Sequence, residues 1–251
     1  MASDDSQFYT GLIADAYALL ASAPPEPAPY ERFVRRGDGP ALELACGDGR
    51  PMLDLIESGL AVEGLDSSAD MLMRCRAAAA ERGLGPVTLH LGDMANFNLG
   101  RAYASIYIAG ASITLLPDDE SVGASLRCMS QHLVEGGRAM VPFWIPPAAA
   151  EIGRALEAEV AGQPSTVLRC TTIEVERNED QRTHASLLRY ERVTHGDVTE
   201  AVERWWNVHW LTVDDAIALA SDAGFSEVRA RGLDGRRAEP DASFFALTLA
   251  R

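Results

Sequence analysis

The sequence predicts an α/β fold, a parallel-rich sheet with helices on both faces, and three stretches predict it. The first is Ala41-Leu42-Glu43-Leu44, a short apolar strand that empties into the small-residue turn Ala45-Cys46-Gly47-Asp48-Gly49-Arg50 before a helix. The second, Ala61-Val62-Glu63-Gly64-Leu65-Asp66, is a strand ending in a carboxylate. The third, Val87-Thr88-Leu89-His90-Leu91, runs into Gly92-Asp93-Met94 and brings another acid to the same sheet edge.

The first turn suits a nucleotide-like ligand. Gly47 and Gly49 let the backbone approach a ligand without a Cβ in the way and can adopt positive φ. Pro51 is tolerated in the first helical turn and fixes its start, and the free N–H groups there face the turn. Asp66 follows the glycines by roughly 20 residues, the distance at which a βαβ unit offers an acid to a ribose diol.

Two nucleotide readings compete. A dinucleotide fingerprint G-x-G-x-x-G would need a third glycine at position 52, which is Met52, and a pyrophosphate gains nothing from Glu43 in the first strand. The order Glu43 in ELACGDGR, Asp66 in VEGLDSSADML and Asp93 in LHLGDMANF instead resembles the class I S-adenosylmethionine-dependent methyltransferases, whose ligand carries a cationic amino group and a sulfonium. The resemblance covers most of residues 38–251. It implies a Rossmann-like seven-stranded methyltransferase sheet, with an N-terminal helical cap (1–37), a cofactor-binding core (38–144), a helix plus small antiparallel β lid after strand 5 (145–210) and a completion of the core (211–251).

The same resemblance implies the site. Ala45, Gly47 and Gly49 would pack against the amino-acid part of S-adenosylmethionine, with Ala45 standing where the family has its first glycine. Glu43 would stand behind the turn and face the methionyl ammonium. Asp66 would accept the ribose hydroxyls with Ser67 and Met71 near the adenosine; Asp93 and Met94 would hold the adenine, and Ala109 would line the cofactor at the exit of the fourth strand. The product would be S-adenosylhomocysteine.

The later elements follow the same plan. Residues 103–109 read as a fourth strand followed by Gly110-Ala111-Ser112, then a helix over 118–133. Glu135-Gly136-Gly137 turns into a fifth strand over 138–143, a helix covers 213–223, and strands 227–231 and 243–249 close the sheet around a polar turn at 234–241.

Three departures from a minimal core would choose the methyl acceptor. Residues 5–36 carry Phe8, Tyr9, Leu12, Ile13, Tyr17 and Leu20 at helical spacing before Pro24-Pro25-Glu26-Pro27; the helix either caps the sheet or lets Tyr9 or Tyr17 close over the methyl donor. An Ala/Glu-rich helix over 148–161 precedes three alternating segments, 166–176, 183–194 and 198–209, which read as antiparallel hairpins. This arrangement resembles the lid of the amino-sugar and glycopeptide N-methyltransferases. Third comes Trp205-Trp206-Asn207-Val208-His209-Trp210, where alternation sends Trp206, Val208 and Trp210 to one face and Trp205, Asn207 and His209 to the other. Ser112, Trp144, Trp206 and Trp210 are acceptor-binding candidates, and His209 is the catalytic candidate, as base or orienting group. His90 and His132 read as structural; His184 and His195 read as exposed.

Composition narrows the partners. Net charge is −15, from 22 basic residues, all arginine, against 37 acidic ones, so a phosphate backbone would be repelled unless a local basic stripe compensated. Nucleic acid is excluded as a partner on this reading, as is a membrane, since no apolar run approaches the ~20 residues of a span. Met1-Ala2-Ser3-Asp4-Asp5 lacks a signal peptide's basic and apolar regions, so a cytoplasmic protein is expected. The four cysteines show no C-x-x-C spacing and read as reduced packing residues, with no metal site.

The expected function is methyl transfer to a small natural-product amine, with O- or C-methylation as the alternative, by a monomer or homodimer. A nicotinamide-dependent oxidoreductase and a non-catalytic cofactor-binding module are the rival classes.

Overall fold

The computed structural model describes residues 8–20, 25–149, 151–232 and 235–251. Contacts divide them into two compact units, one within residues 1–24 and 147–208, the other within 25–146 and 209–251.

The larger unit is built on parallel strands buried along their whole length, polar positions such as Glu43, Glu63, Asp66 and Ser105 included: β1 (Ala41–Leu44), β2 (Val62–Asp66) and β4 (Tyr103–Ile108). Continuous burial means cover on both faces. With β3 (Leu89–Leu91), β5 (Leu133–Trp144), β10 (Glu227–Arg231) and β11 (Phe244–Ala250) they form a seven-stranded sheet in the order β10-β11-β5-β4-β1-β2-β3. β1 to β5 are mutually parallel, and β11 runs antiparallel between β5 and β10. One face packs against α5 (Asp119–His132) and α6 (Val213–Asp222) through Leu126, Met129, Ala216, Ala220, Val141 and Leu247. The other packs against α2 (Pro27–Val34), α3 (Met52–Glu57) and α4 (Ala69–Glu81) through Phe33, Leu53, Leu72, Cys75 and Tyr107. The fold class expected from the sequence is the one observed.

Three helices, α4, α5 and α6, start at side-chain caps. Ser68, Asp118 and Thr212 each accept a backbone N–H three residues on, from Met71, Ser121 and Asp215. The turn expected at 135–137 is instead a bulge inside β5: Leu133 pairs with Tyr103 and Arg138 with Ser105, so the residues between are looped out of register. Gly136 supplies positive φ there, and a Cβ on Gly137 would meet the Val134 carbonyl at 2.8 Å.

The smaller unit is a four-stranded antiparallel sheet, order β6-β7-β8-β9, of β6 (Ala155–Glu159), β7 (Thr166–Asn178), β8 (Thr183–Thr194) and β9 (Asp197–His209). The helix α1 (Gly11–Leu20) packs Leu12 and Ala16 against Leu168 of this sheet, with Tyr190 and Val202 around them. Residues expected to form one N-terminal cap are therefore shared out, α1 to this unit and α2 to the larger one.

The helix expected over 148–161 is not formed. Its Ala/Glu composition favours helix, but Gly153 and Gly162, at φ 81° and 74°, break the run, and residues 155–159 pair antiparallel with Val167–Thr171. Ladder pairing overrides a weak local preference. Position 150 lies outside the described residues. His184, expected to be exposed, is buried, with Nε2 3.1 Å from the Ser186 hydroxyl on the same side of β8. His195 is exposed in the β8–β9 turn.

Candidate functional site

In a parallel sheet the carboxyl ends of neighbouring strands open side by side, and a ligand crevice forms where the strand order reverses. Here that point lies between β1 and β4. The ends of β4, β1, β2 and β3 carry, in turn, Ala109 and Ser112, Glu43 to Gly49, Asp66 to Ser67 with Met71 beyond, and Asp93 with Met94. The order of the strands thus brings these expected positions to one edge. Trp144 ends β5 at that edge as well.

The turn after β1 is held in left-handed backbone at three positions, Ala45 (φ 54°), Gly47 (φ 53°) and Gly49 (φ 93°). Only two of them are glycine. A Cβ on Gly49 would sit 2.7 Å from both Cys75 Sγ and Leu53 Cγ, so this glycine is required by packing as well as by φ. Ala45 carries the strain without that need: the left-handed region costs an L-residue ~1–2 kcal/mol, partly offset by glycine's greater freedom in the unfolded chain. Ala45→Gly is therefore expected to raise Tm by ~2 °C and Gly49→Ala to lower it by ~5 °C or more, read by thermal melts.

Asp66 braces the turn. Its Oδ2 accepts the Gly47 N–H at 2.8 Å and its Oδ1 the Ser68 N–H at 2.8 Å. Burial nevertheless raises its pKa, these two bonds opposing the rise. Ser67 beside it is exposed, while Met71 is buried, its Cε 3.3 Å from where a Gly47 Cβ would be. Asp93 is exposed, and its Oδ1 accepts the Ala95 N–H at 2.8 Å, fixing the turn that presents Met94.

Glu43 is the unusual member. It is fully buried, and neither carboxyl oxygen makes a well-formed hydrogen bond among the described residues. The Tyr107 hydroxyl is a close polar neighbour that likewise lacks one. Burial pushes the Glu43 carboxyl up to about 8; Tyr107 works against this, and Asp66, Asp48 and Asp54 add repulsion. The same burial and acids raise the Cys46 thiol and take that of Cys75 up to about 12, so both stay protonated. Asp48 has a close cation in Arg50, and Asp54 has one in Arg82, each at 2.9 Å, whereas Glu43 has no ion pair among the described residues. The edge behind the turn is acidic and under-bonded.

A raised carboxyl favours folding only while protonated. The stability due to Glu43 is complete below its ordinary value of 4.5 and is lost as pH rises to about 8. Glu43→Gln mimics the protonated form, so its Tm advantage over wild type, without ligand, should grow from about pH 5 to pH 8 and then level off. Discounted for relaxation of the buried site, the plateau is ~2–4 kcal/mol, or about 5–10 °C by scanning calorimetry.

Sequence reading missed Tyr107 and Tyr30. Their rings lie 5.4 Å apart, and the Tyr30 hydroxyl accepts the Gly110 N–H at 3.1 Å, tying α2 to the exit of β4. It also missed the partner of His209. That imidazole is buried, its Nε2 lies 2.6 Å from Asp119 Oδ1 in the first turn of α5, and its Nδ1 has no hydrogen-bond partner among the described residues. The run Pro117-Asp118-Asp119-Glu120 signalled a helix start and nothing more. Trp210 follows His209 and is buried.

Tyr9, Tyr17 and Trp206 belong to the small-sheet unit. Tyr9 and Tyr17 meet edge to face at 5.3 Å, and Tyr9 meets Phe8 at 4.9 Å. His90 and His132 are engaged in packing contacts: His90 Nε2 bonds Glu63 at 2.8 Å, and His132 bonds the Cys128 carbonyl at 2.8 Å through Nδ1 while Nε2 accepts the Leu99 N–H. All four cysteines are free. Among the described residues no cluster of three or more His, Cys, Asp or Glu is arranged to hold a metal ion, and no helix is long and apolar enough to cross a membrane.

Known proteins share both the sequence and the fold of this edge. Residues 41–137 match the methyltransferase domain family. The dTDP-3-amino-3,6-dideoxy-alpha-D-glucopyranose N,N-dimethyltransferase of Streptomyces fradiae is 35% identical over 147 residues, 55% of this chain and 56% of that one. The chain spans about half the length of the curated relatives it matches. Among solved structures, the CcbJ methyltransferase of Streptomyces caelestis superposes with a TM-score of 0.76 over 97% of this chain and 98% of its own, at 21% identity. CalS10 of Micromonospora echinaspora, an amino pentose methyltransferase with SAM bound, gives 0.63 over 95% and 92%, also at 21%. Residues 41–137 are thus similar in sequence to a methyltransferase domain, and the chain shares its fold with solved methyltransferase structures.

Proposed function

We propose that this chain transfers a methyl group from S-adenosylmethionine to a small-molecule amine, the amino group of a natural-product sugar being the acceptor class that the names of its relatives favour. Glu43 carries the reading. A fully buried carboxyl with two unbonded oxygens behind a left-handed glycine turn is a costly arrangement in the ligand-free chain. A cationic amino group relieves it; the phosphates of a dinucleotide would worsen it. S-adenosylmethionine, when bound, supplies a methyl carbon activated by its sulfonium.

The chain's residues take the following parts in this reading. Ala45, Gly47 and Gly49 receive the amino-acid portion, with Glu43 facing its ammonium. Asp66 keeps lone pairs beyond its two backbone bonds for the ribose hydroxyls, with Ser67 and Met71 beside the adenosine, and Asp93 and Met94 hold the adenine. Ala109 lines the exit of β4. Ser112, Trp144 and Trp210 hold the acceptor. His209 takes the acceptor's proton or orients it. Alignment and water exclusion supply most of the rate in such an in-line displacement. The setting that goes with this reading is cytoplasmic.

Calorimetric titration tests it. S-adenosylhomocysteine should bind with micromolar Kd and NADH should not. Tight NADH binding, or no binding of S-adenosylhomocysteine, would overturn the assignment. Methyl transfer from labelled S-adenosylmethionine to amino sugars in preference to DNA, RNA or folded protein would then fix the acceptor class.

A further inference from the structure

The strands β10 and β11 and the Arg138 end of β5 are only partly covered on their second face, although Met140 packs against the second cluster and Pro142 is buried. Ala139, Val141, Leu247, Leu249 and Ala230 turn into the core, while the residues between them alternate to the opposite face. Cross-strand register sets that second face in rows: Arg138 beside Ala250 beside Glu227, Met140 beside Thr248 beside Arg229, and Pro142 beside Ala246 beside Arg231. The middle strand contributes only Ala246, Thr248 and Ala250. Small residues between two arginine-bearing strands leave a trough, its walls two strand spacings, about 10 Å, apart. Phe33 and Arg36, from the end of α2, close it, and the resulting cavity is about 270 Å³.

The charge in this trough runs against the rest of the molecule. The chain is strongly acidic, and its arginines elsewhere commonly sit on carboxylates, as in Arg35–Glu31, Arg82–Asp54, Arg101–Glu63, Arg169–Glu157 and Arg192–Asp15. Here four arginines, Arg36, Arg138, Arg229 and Arg231, line the cavity against one acidic residue, Glu227. Glu227 pairs with Arg229 at 2.9 Å, and Arg231 donates to the Gly235 carbonyl at 2.9 Å. Among the described residues the side chains of Arg36 and Arg138 have no hydrogen-bond or ion-pair partner.

We propose that this trough is a binding site for a compact polyanion, a diphosphate group. Guanidinium forks match phosphate oxygens two at a time, the Thr248 hydroxyl adds a donor on the floor, and the small side chains of β11 let the anion sit down between the walls. The site is separate from the methyl-transfer edge. Arg138 lies level with Ser105 and Ala41, at the amino ends of β4 and β1, whereas the glycine turn follows the carboxyl end of β1.

The test titrates the full-length protein with sodium pyrophosphate and, separately, with ADP, at low and high salt. Both anions should bind, more weakly as salt rises. The double variant Arg138→Gln/Arg229→Gln should lose at least ~10-fold in affinity, while its melting curve and its binding of S-adenosylhomocysteine stay those of wild type. Equal affinities for the two anions mean that a free diphosphate is read; tighter ADP binding means that the group is read as part of a nucleotide. Failure of both to bind, or binding unaltered in the double variant, overturns the proposal. Neither result bears on methyl transfer, which stands or falls on S-adenosylhomocysteine binding.

Discussion

Asp66→Ala should weaken S-adenosylhomocysteine binding by ~100-fold or more, the largest effect expected of any single change at the cofactor edge. In the ligand-free chain the carboxylate holds the Gly47 and Ser68 N–H groups, each at 2.8 Å. Hydrogen bonds to a charged group contribute ~1.5–3 kcal/mol each. The substitution therefore frees the turn from β2, and it also removes the acceptor assigned to the ribose hydroxyls. Asp66→Asn separates the two losses: its amide oxygen can keep one N–H bond, but its NH₂ faces the other N–H donor. Calorimetry at a temperature where both variants are folded checks the expectation. If Asp66→Ala lowers Tm yet binds the ligand as wild type does, Asp66 is a turn clamp and the ribose is held elsewhere.

Much of this edge was legible in the sequence because it is built from strand ends. An apolar run followed by glycines, or by a single acid, fixes both the strand and the side on which it stops, so Gly47, Gly49, Asp66 and Asp93 could be brought together without knowing any side-chain contact. What stayed hidden were pairs joined by tertiary packing. Tyr30 and Gly110 are 80 residues apart, and Asp119 and His209 are 90. Periodicity says which face a residue takes and is silent about what it meets there. The strand over 155–159 was hidden for a related reason. Its composition is helical, and only the ladder with β7 decides otherwise, although Gly153 and Gly162 at its flanks carried the warning. The arginine trough is a register effect: Arg138, Arg229 and Arg231 are unremarked in sequence and become a cluster only when β11 runs between β5 and β10.

Glu43 shows why the ligand-binding arrangement opposes stability. A glutamine there should make the protein more resistant to heat at neutral and alkaline pH, because it replaces an acid whose ionisation burial, and then repulsion from Asp66, Asp48 and Asp54, oppose in the folded chain. The proposed function requires that carboxylate. Strain at Ala45 and an unbonded acid at Glu43 lie within one turn of backbone, as expected of a functional site whose strain the surrounding fold maintains.

His209→Ala should lower kcat by ~100-fold with an amine acceptor while leaving S-adenosylhomocysteine affinity within a factor of about two. The dyad gives the reason. With Nε2 donating to the Asp119 carboxylate 2.6 Å away, the imidazole is held in the tautomer whose Nδ1 lone pair is free. That nitrogen is buried and has no hydrogen-bond partner among the described residues, so it is available to take a proton. An amine that arrives as an ammonium ion must lose one before its nitrogen can attack. If Nδ1 takes it, His209→Gln will not restore the rate, and Asp119→Asn, which weakens the hold on Nε2, will lower kcat by ~10-fold and shift the acid limb of the pH–rate profile. If His209 only orients the acceptor, glutamine recovers most of the rate, KM moves more than kcat, and Asp119→Asn leaves the profile where it was. Wild-type kcat and KM in all three variants would mean that the dyad serves to anchor the end of β9 to α5, and the proton must then leave directly to water.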